Sequence, residues 1–312
     1  MDEKRSATAA VEQQPESRQS ESMHSLQSVQ RLPEWVRRTV LNTDENRAVR
    51  GILKEERLNT ICESGRCPNK GECWARGTAT FLLMGALCTR TCKFCSVNKG
   101  MPLPLEDDEP IRIAEACRKM NLRHVVLTSV NRDDLPDQGS THFAKTIKAL
   151  KEAIPNVAVE VLTPDFQGRE DCIATVLDAG PVVFNHNIET VPRLYRKVRP
   201  GSKYDRSLKV LQAAKRLNKG VPTKSGLMLG LGESEDEVKE VLHDMRAHDV
   251  DFLTLGQYLR PSRDQLPVQR YVTPEEFDEL GKYAWGLGFN MVHSGPLVRS
   301  SYHAEELAGQ LV

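Results

Sequence analysis

Short β-rich runs alternate with amphipathic helical runs from residue 80 onward, and this alternation restricts the possible folds more than any other feature of the chain. Successive parallel strands need a crossover of a dozen or more residues, which is usually a helix. Six strand–helix units therefore predict an α/β fold, a partial (β/α)6 barrel that is two units short of a closed one. The predicted strands are 81–84, 125–130, 157–162, 182–188, 225–231 and 252–259, and the predicted helices are 111–121, 143–154, 169–179, 205–218, 235–248 and 274–287.

Two of these helices carry a start signal. Ser234 is followed three residues later by Glu237, and Thr273 is followed in the same way by Glu276. In a capping box the hydroxyl accepts a hydrogen bond from the third helical amide, and the glutamate accepts one from the amide of the cap. The spacing therefore predicts that helices begin after Ser234 and after Thr273.

The regions that flank the alternating core differ from it in composition. The first 30 residues lack Phe, Tyr and Trp and are rich in Ser, Gln and Glu, which is typical of a disordered tail. Amphipathic residues then predict one or two helices packed on the core. The expected organisation is a tail over 1–30, an N-terminal extension over 31–78, a core over 79–288 and a C-terminal extension over 289–312.

Charge and hydropathy exclude several classes of function. The 312 residues include 43 basic and 43 acidic side chains, whereas nucleic-acid binders usually show a basic excess. The longest apolar run, 81–88, is shorter than the roughly 18 residues that a membrane span needs. The N-terminus leads into no apolar segment typical of a secretory signal. We therefore expect a cytoplasmic protein with no nucleic-acid or membrane partner, in which thiols stay reduced.

Cysteines are the main clue to chemistry, because six of the eight fall within 34 residues. The N-terminal triplet has the spacing C-x4-C-x5-C and comprises Cys62, Cys67 and Cys73. The loop triplet has the spacing C-x3-C-x2-C, directly after the first predicted strand, and comprises Cys88, Cys92 and Cys95.

Three-cysteine groups favour iron–sulfur clusters over the alternatives of structural zinc and disulfides. Structural zinc usually takes four ligands in paired knuckles, and disulfides are rare in a reducing compartment. A [4Fe–4S] cube has four irons, each of which takes one outer ligand. Three thiolates on one short loop would leave the fourth iron open to bind a small molecule. Phe94, between the last two cysteines of the loop triplet, offers an apolar face beside such a cube.

The loop at 88–95, CTRTCKFC, resembles the cluster loop of the radical S-adenosylmethionine (SAM) enzymes. The resemblance implies that SAM chelates the open iron through its methionine amino and carboxylate groups. It also implies that the reduced cluster cleaves SAM to a 5′-deoxyadenosyl radical, which abstracts hydrogen from unactivated carbon. The implied fold is the partial barrel of that superfamily, with the two extensions covering its open end.

Further motifs are similar to those of the lipoyl synthase family, over about residues 35–303. Two positions depart from the family pattern, Asn131 in place of Asp and Gln138 in place of Gly. The matching motifs are 62–69 (CESGRCPN), 71–74 (GECW), 163–166 (TPDF), 185–190 (NHNIET), 223–226 (TKSG), 256–259 (GQYL) and 299–302 (RSSY).

The family resemblance implies a role for the N-terminal triplet. The triplet would hold an auxiliary [4Fe–4S] cluster, with a serine of the 299–302 motif as the fourth ligand. We favour Ser301 and keep Ser300 as the alternative. This cluster would give up two sulfur atoms to C6 and C8 of an octanoyl-lysine, with two SAM molecules consumed.

The resemblance also implies partners. The substrate would be carried by an octanoylated lipoyl domain or glycine-cleavage carrier protein. A ferredoxin or flavodoxin would donate electrons, and an iron–sulfur carrier would rebuild the auxiliary cluster.

Polar residues at strand ends are the candidate contacts to SAM. Glu160 interrupts an apolar strand, where a carboxylate must be paired or functional. Ser129 lies at a strand end, and its hydroxyl either contacts the cofactor or caps a turn. The remaining candidates share one face of a strand by their period of two and are Asn185, Asn187 and Glu189.

Four other polar and thiol side chains have less specific expected roles. His186 falls on the opposite face and is expected to pack. Lys224 either binds a carboxylate or is a solvated rim charge. Cys117 and Cys172 lie at helical spacing with apolar residues and are expected to be buried, inert thiols.

Two rival functions follow from the same cysteines. A biotin-synthase-like radical enzyme would use the loop triplet but not the N-terminal triplet or the 299–302 motif. A zinc-binding module would use neither cluster, and metal analysis distinguishes it because iron–sulfur proteins are brown.

Overall fold

The computed structural model describes residues 32–37 and 44–301. The tail expected over 1–30 lies outside the described residues, as does the chain beyond Ser301. Within the described ranges, no helix is long and apolar enough to cross a bilayer.

Seven parallel strands form one sheet whose spatial order follows the chain. Their buried, mostly apolar side chains are typical of a sheet that is covered on both faces. In the described residues the two outermost strands have one neighbour each, so the sheet is open. The strands are β1 (Thr78–Leu83), β4 (His124–Ser129), β5 (Ala158–Leu162), β6 (Val183–Asn185), β7 (Thr223–Leu229), β8 (Phe252–Gln257) and β9 (Met291–Gly295).

The predicted α/β fold with a parallel sheet is confirmed, and all six predicted strands are present. The seventh strand, β9, lies in the stretch that the sequence places outside the alternating pattern. Its sequence MVHSG contains two polar residues and a glycine, so it carries a weak strand signal. Pairing with β8 from Phe252–Met291 to Gly256–Gly295 stabilises it.

All six predicted crossover helices are present, each beginning and ending within three residues of the prediction. Both capping boxes form, at Ser234 with Glu237 and at Thr273 with Glu276. The crossover helices are α4 (Glu109–Lys119), α5 (Ser140–Ala153), α6 (Glu170–Asp178), α8 (Tyr204–Leu217), α9 (Glu235–Ala247) and α10 (Pro274–Gly286). Short 3-10 helices occur at Glu34–Val36, Phe166–Gly168 and Pro192–Leu194, and the single-turn α7 spans Tyr195–Val198.

The N-terminal extension packs on the start of the barrel, as its amphipathic sequence predicts. It contains α1 (Asp44–Glu55), α2 (Ile61–Ser64) and α3 (Lys70–Ala75). Leu53 and Trp74 are buried in the same core cluster as β1. The amide of Leu82 donates to the carbonyl of Asn59 at 2.9 Å, which ties the extension to β1 immediately before the N-terminal triplet.

Residues 296–301, called here the C-terminal segment, turn back from β9 toward β8. The amide of Gln257 donates to the carbonyl of Pro296 at 3.3 Å. Asn69, which precedes α3, donates its side-chain amide to the carbonyl of Leu297 at 2.6 Å. The C-terminal segment is therefore bound both to the barrel and to the N-terminal extension.

Two cysteines outside the triplets are buried in helices. Cys117 in α4 and Cys172 in α6 are 0% and 2% exposed. Burial raises the pKa of both thiols. Their surroundings match the expected inert, packing role.

Candidate active site

One cavity of about 470 Å³ lies at the carboxyl ends of the strands and brings most of the predicted site together. It is the position at which barrels of this type place their sites. From the triplets and the C-terminal segment, its lining includes Cys62, Cys67, Cys88, Cys92, Cys95, Ser300 and Ser301. Cys73 lies on α3 and is not among the lining side chains.

The loop triplet sits on a tightly held loop. Its ends pair as two short parallel strands, β2 (Leu87–Cys88) and β3 (Asn98–Lys99). The amide of Lys93 donates to the carbonyl of Val198 at 2.8 Å, and the amide of Asn131 approaches the Cys88 sulfur at 3.3 Å. Because Asn131 acts here through its backbone, its departure from the family residue leaves this contact intact.

Arg90, within the same loop, is a positioning residue that the sequence analysis missed. Its guanidinium is 8% exposed and donates to both oxygens of Asp133, at 2.7 and 2.8 Å, and to Asp165 at 2.7 Å. Asp165 also pairs with Arg206 of α8. Although burial opposes its ionisation, hydrogen bonds from Arg90 hold the pKa of Asp165 well below its usual value. Two carboxylates and two guanidiniums therefore fix the loop to the strand ends.

Gln138 adopts a left-handed backbone conformation with a φ of 55°. This is the position where the family pattern has glycine, the residue that takes such a conformation most readily. Its side-chain amide donates to the carbonyl of Leu135 at 3.2 Å and helps to hold the turn. The left-handed conformation costs this non-glycine residue some backbone strain.

The N-terminal triplet is presented by two short helices. Cys62 lies in α2, whose start is capped by the Thr60 hydroxyl through the amide of Glu63 at 3.3 Å. Cys67 follows α2, and its amide donates to the Cys62 carbonyl at 3.1 Å. Burial, with a smaller contribution from neighbouring Cys67, raises the pKa of the Cys62 thiol to about 11.

Burial also raises the pKa of the loop-triplet thiols Cys92 and Cys95, the latter to about 11. Neighbouring thiols of the triplet act in the same direction. A thiolate in such surroundings needs a bound cation, and coordination by metal deprotonates a thiol outright. With raised pKa values, Cys62, Cys92 and Cys95 are poor free nucleophiles.

Across the described ranges, no three His, Cys, Asp or Glu side chains converge closely enough to hold one metal ion.

Both serines of the C-terminal segment line the cavity, together with Cys62 and Cys67. The side-chain amide of Asn187 donates to the Ser300 hydroxyl at 2.7 Å and to Glu189 at 3.1 Å. The Ser300 hydroxyl is therefore hydrogen-bonded to the barrel.

Four of the predicted SAM contacts line the cavity, namely Phe94, Ser129, Asn187 and Glu189. The Ser129 hydroxyl and the Asn187 side-chain oxygen are buried and have no hydrogen-bond partner among the described residues. Burial raises the pKa of Glu189, and nearby Arg199 opposes that shift. Arg199, which the sequence analysis did not single out, also lines the cavity.

Glu160 and Asn185, which the sequence also offers as SAM contacts, are not among the side chains that line the cavity. Glu160 is 0% exposed and pairs with the ammonium of Lys224 at 3.0 Å, and it accepts from Asn185 at 3.2 Å. Lys224 is therefore a buried ion-pair partner and not a rim charge. It lies in β7, so the ion pair reaches across β6 to Glu160 in β5.

His186 has the packing role predicted for it. One ring nitrogen lies 2.9 Å from the carbonyl of Thr163 and the other lies 3.0 Å from the Ser207 hydroxyl. The carbonyl can only accept, so Nδ1 carries a proton. Burial, together with the nearby Arg199, lowers the pKa of His186 to about 4.

Comparison with known proteins identifies a matching superfamily and relatives that align with most of the chain. A model of the radical SAM superfamily matches residues 82–245. Lipoyl synthase of Caldanaerobacter subterraneus subsp. tengcongensis is 57% identical over 275 residues, which cover 88% of this chain and 96% of that protein. Lipoyl synthase 2 of Gloeobacter violaceus is 57% identical over 276 residues, with 88% and 96% covered.

Solved structures with a similar fold have low sequence identity to this chain. Streptococcus suis SuiB, bound to its precursor peptide SuiA, superposes with a TM-score of 0.55 at 12% identity, over 84% of this chain and 55% of that one. Methylornithine synthase (PylB) gives a TM-score of 0.50 at 16% identity, over 80% and 81%. At these identities the likeness concerns the fold alone.

Proposed function

Since the chain belongs to the lipoyl synthase family of the radical SAM superfamily, we propose that its two cysteine triplets hold two [4Fe–4S] clusters with separate tasks. The activity is that of a lipoyl synthase, a radical SAM enzyme that inserts sulfur. In the reaction that we propose, two sulfur atoms enter at C6 and C8 of a protein-bound octanoyl-lysine. The observation that carries the two-cluster assignment is that thiols of both triplets line one cavity.

The loop triplet would hold the cluster that binds SAM. Three thiols with no fourth protein ligand on the loop fit a cube with one open iron. Glu189 and Arg199 present opposite charges to the same cavity, which suits the ammonium and carboxylate of the methionine part of SAM. The unpartnered Ser129 hydroxyl and Asn187 oxygen would accept or donate hydrogen bonds there.

When bound, the reduced cluster and SAM supply a 5′-deoxyadenosyl radical that removes hydrogen from the octanoyl chain, and the auxiliary cluster supplies the sulfur. The protein's own part is to orient the reactants and exclude water. Apolar side chains suited to an alkyl chain line the same cavity and include Leu82, Leu162, Leu227, Met228 and Val298.

The N-terminal triplet and Ser301 would hold the auxiliary cluster. A hydroxyl must ionise to bind iron, and oxygen is a harder ligand than thiolate for such a cluster. Reprotonation of the serine would therefore release that bond readily, which suits a cluster that is consumed. Ser300 is less suited because its hydroxyl already accepts from Asn187.

The proposed partners follow from this chemistry. The substrate is an octanoylated lipoyl domain or a glycine-cleavage carrier protein. A ferredoxin or flavodoxin supplies electrons, an iron–sulfur carrier rebuilds the auxiliary cluster, and the protein acts in the cytoplasm.

Metal analysis and triplet variants test the proposal together. We expect about eight irons and eight sulfides per chain after anaerobic reconstitution, four for each cube. Cys88→Ala should abolish reductive cleavage of SAM, because the open-iron cube no longer assembles. Cys67→Ala should retain cleavage of SAM and lose the lipoyl product, because only the sulfur source is removed.

Cys117→Ala is the matched control, since that thiol is buried in a helix away from both triplets, and it should keep both activities. Normal lipoyl yield from Cys67→Ala would contradict the role of the N-terminal triplet. An iron content near four per chain would leave a single cluster and favour a different radical enzyme.

A further inference from the structure

The loop that carries Cys88, Cys92 and Cys95 has two faces. The three thiols and Phe94 line the cavity. Thr91 and Lys93, which alternate with them, are exposed. The loop is therefore a wall between the cavity and the exterior, with its cysteines on the cavity side and Thr91 and Lys93 on the outer face.

A second concavity, of about 460 Å³, opens on the outer side of this wall. Thr89 and Thr91 of the loop contribute one side of it, and Pro200 and Gly201 contribute another. The hydrogen bond from Lys93 N to Val198 O, at 2.8 Å, joins the loop to α7 just beside it. Residues of the loop and of 196–203 therefore form one continuous surface.

This surface carries four exposed cations that lack salt bridges. Arg196 and Lys197 lie on the exposed side of α7, whose other residues, Tyr195 and Val198, are buried. Lys93, two residues after Thr91, and Lys203, two residues after Gly201, are also exposed. None of the four pairs with a carboxylate within the described residues, in contrast to buried Arg90 and half-buried Arg206.

The cations are a local feature, because the whole chain has a net charge of zero. Between 196 and 206, Asp205 is the only carboxylate residue in the sequence. Unpaired surface cations contribute little to folding, whereas a patch of one sign steers an oppositely charged partner toward its docking surface. The patch is consequently suited to an acidic protein.

We propose that the outer face of the loop, with Lys93, Arg196, Lys197 and Lys203, is the docking surface for an acidic one-electron donor protein of the flavodoxin or ferredoxin class. The donor is oxidised by one electron, and the cluster held by the loop triplet is reduced by one. That electron enters the S–C5′ bond of SAM as it breaks, giving methionine and the deoxyadenosyl radical. The inference rests on the proposed function and locates its electron donor.

Electron transfer slows steeply with distance, so the donor must approach the wall closely. The octanoyl-lysine must instead enter the cavity itself, which is lined by the inner face of the loop and by the C-terminal segment. An acidic acyl carrier on the outer patch could not deliver its acyl chain to both triplets. The position of the patch therefore favours the electron donor.

A double charge reversal, Arg196→Glu with Lys197→Glu, tests the inference. The probe is an acidic flavodoxin in its hydroquinone form, with dithionite as a small reductant that needs no docking surface. We expect the Kd of flavodoxin, measured by calorimetry at low salt, to rise roughly tenfold or more. The apparent KM for flavodoxin in SAM cleavage should rise by a similar factor, and the salt dependence should weaken.

Cleavage of SAM driven by dithionite should stay unchanged in this variant. The matched control is Lys148→Glu with Lys282→Glu, which reverses two exposed cations on α5 and α10 and should leave both reductants equally effective. Lys93 is kept, because it lies between two of the cysteines.

Three results would overturn the inference. The first is unchanged flavodoxin binding in the variant, and the second is an equal loss with dithionite, which would assign the cations to the fold. The third is a raised KM for the octanoylated carrier at constant flavodoxin affinity, which would make the patch a carrier surface. Absence of SAM cleavage by the wild-type protein with either reductant would instead contradict the proposed function, while the binding measurement still tests the docking surface.

Discussion

At the scale of single residues, Asn187 decides how the two serines of the C-terminal segment divide their roles. Its amide nitrogen donates to Ser300 and to Glu189, so one side chain connects the barrel, the segment and a proposed SAM contact. Ser300 and Ser301 both line the cavity with Cys62 and Cys67, but Ser300 is the one whose hydroxyl accepts from Asn187.

Replacement of the two serines should therefore give different phenotypes. Ser301→Ala should spare SAM cleavage and stop lipoyl formation, because the auxiliary cluster loses its fourth ligand. Ser301→Cys should also lose turnover, since a thiolate would hold the iron too firmly. SAM cleavage and lipoyl product can be quantified in the same reaction by mass spectrometry.

Ser300→Ala serves as the comparison and should reduce product only partly, because it loses a hydrogen bond worth about 1 kcal/mol and no ligand. If Ser301→Ala kept the wild-type product yield and Ser300→Ala lost it, Ser300 and not Ser301 would be the iron ligand.

The sequence is sufficient to pick out five cysteines and four proposed SAM contacts that line the cavity, because their spacing and their place at strand ends are local properties. It is not sufficient for Glu160, whose neutralising partner Lys224 is 64 residues away and is brought to it by the sheet. Nor does it reveal Arg90, since its two carboxylate partners come from loops after β4 and β5. In both cases the ion-pair partners are far apart in the sequence, so local patterns do not predict the pairing.

At the scale of elements, close approach of backbones fixes the C-terminal segment. Gly256 in β8 lies against the carbonyl of Val298, and a Cβ at this position would collide with that carbonyl. The clash is with backbone, which cannot move aside as a flexible side chain does. A glycine in the interior of a strand here marks a place where another part of the chain must pass.

Gly256→Ala should therefore displace residues 296–301 while leaving the loop triplet in place. We expect SAM cleavage to continue and lipoyl formation to fall at least tenfold, with iron content dropping from about eight toward four per chain. Iron and sulfide analysis alongside the activity assay measures both effects.

Gly51→Ala is the control, because it lies in α1 with no atom within 4 Å of the added Cβ. It should keep the iron content and raise helix stability by up to about 1 kcal/mol. Full iron content and full lipoyl yield in Gly256→Ala would show that the segment does not depend on this contact.

Helix and strand periodicity predicts nearly the whole barrel, since each crossover unit carries its own apolar pattern. The strand β9 is the exception, because its position depends on ladder pairing with β8 rather than on its own residues. The turn at Gln138 is similar, since its left-handed conformation is imposed by the loop around it. At both places tertiary contacts, and not the local propensity of the residues, determine the backbone conformation.

At the scale of the whole molecule, the charged groups inside the barrel link its stability to pH. His186 is buried and neutral, with a pKa lowered from 6.5 to about 4. Between these values the unfolded chain binds more protons than the folded one, so stability is full above the unfolded pKa and is lost as pH falls toward 4. The depressed pKa of Asp165 acts in the same direction at still lower pH.

We therefore expect the free energy of unfolding to fall with acidification, with His186 contributing roughly 1 kcal/mol of the loss between about pH 7.5 and pH 6. Anaerobic urea denaturation at the two pH values measures this loss. His186→Gln should be less stable at the higher pH, because it disturbs the contacts to Thr163 and Ser207, but should lose less stability on acidification. An equal pH dependence in both proteins would show that His186 is already charged or that other groups dominate.

The wall formed by the cluster loop has a consequence for the order of events during turnover. In the proposed reaction two SAM molecules would be consumed for each lipoyl group, so two electrons would have to arrive while one acyl chain stays in place. With the reductant on the proposed outer face and the acyl chain at the inner face, neither would have to leave for the other to bind. Steady-state kinetics should then show intersecting lines for carrier and donor, the pattern of a ternary complex. The half-thiolated chain can remain inside until its second carbon has reacted, so few such intermediates should escape into solution.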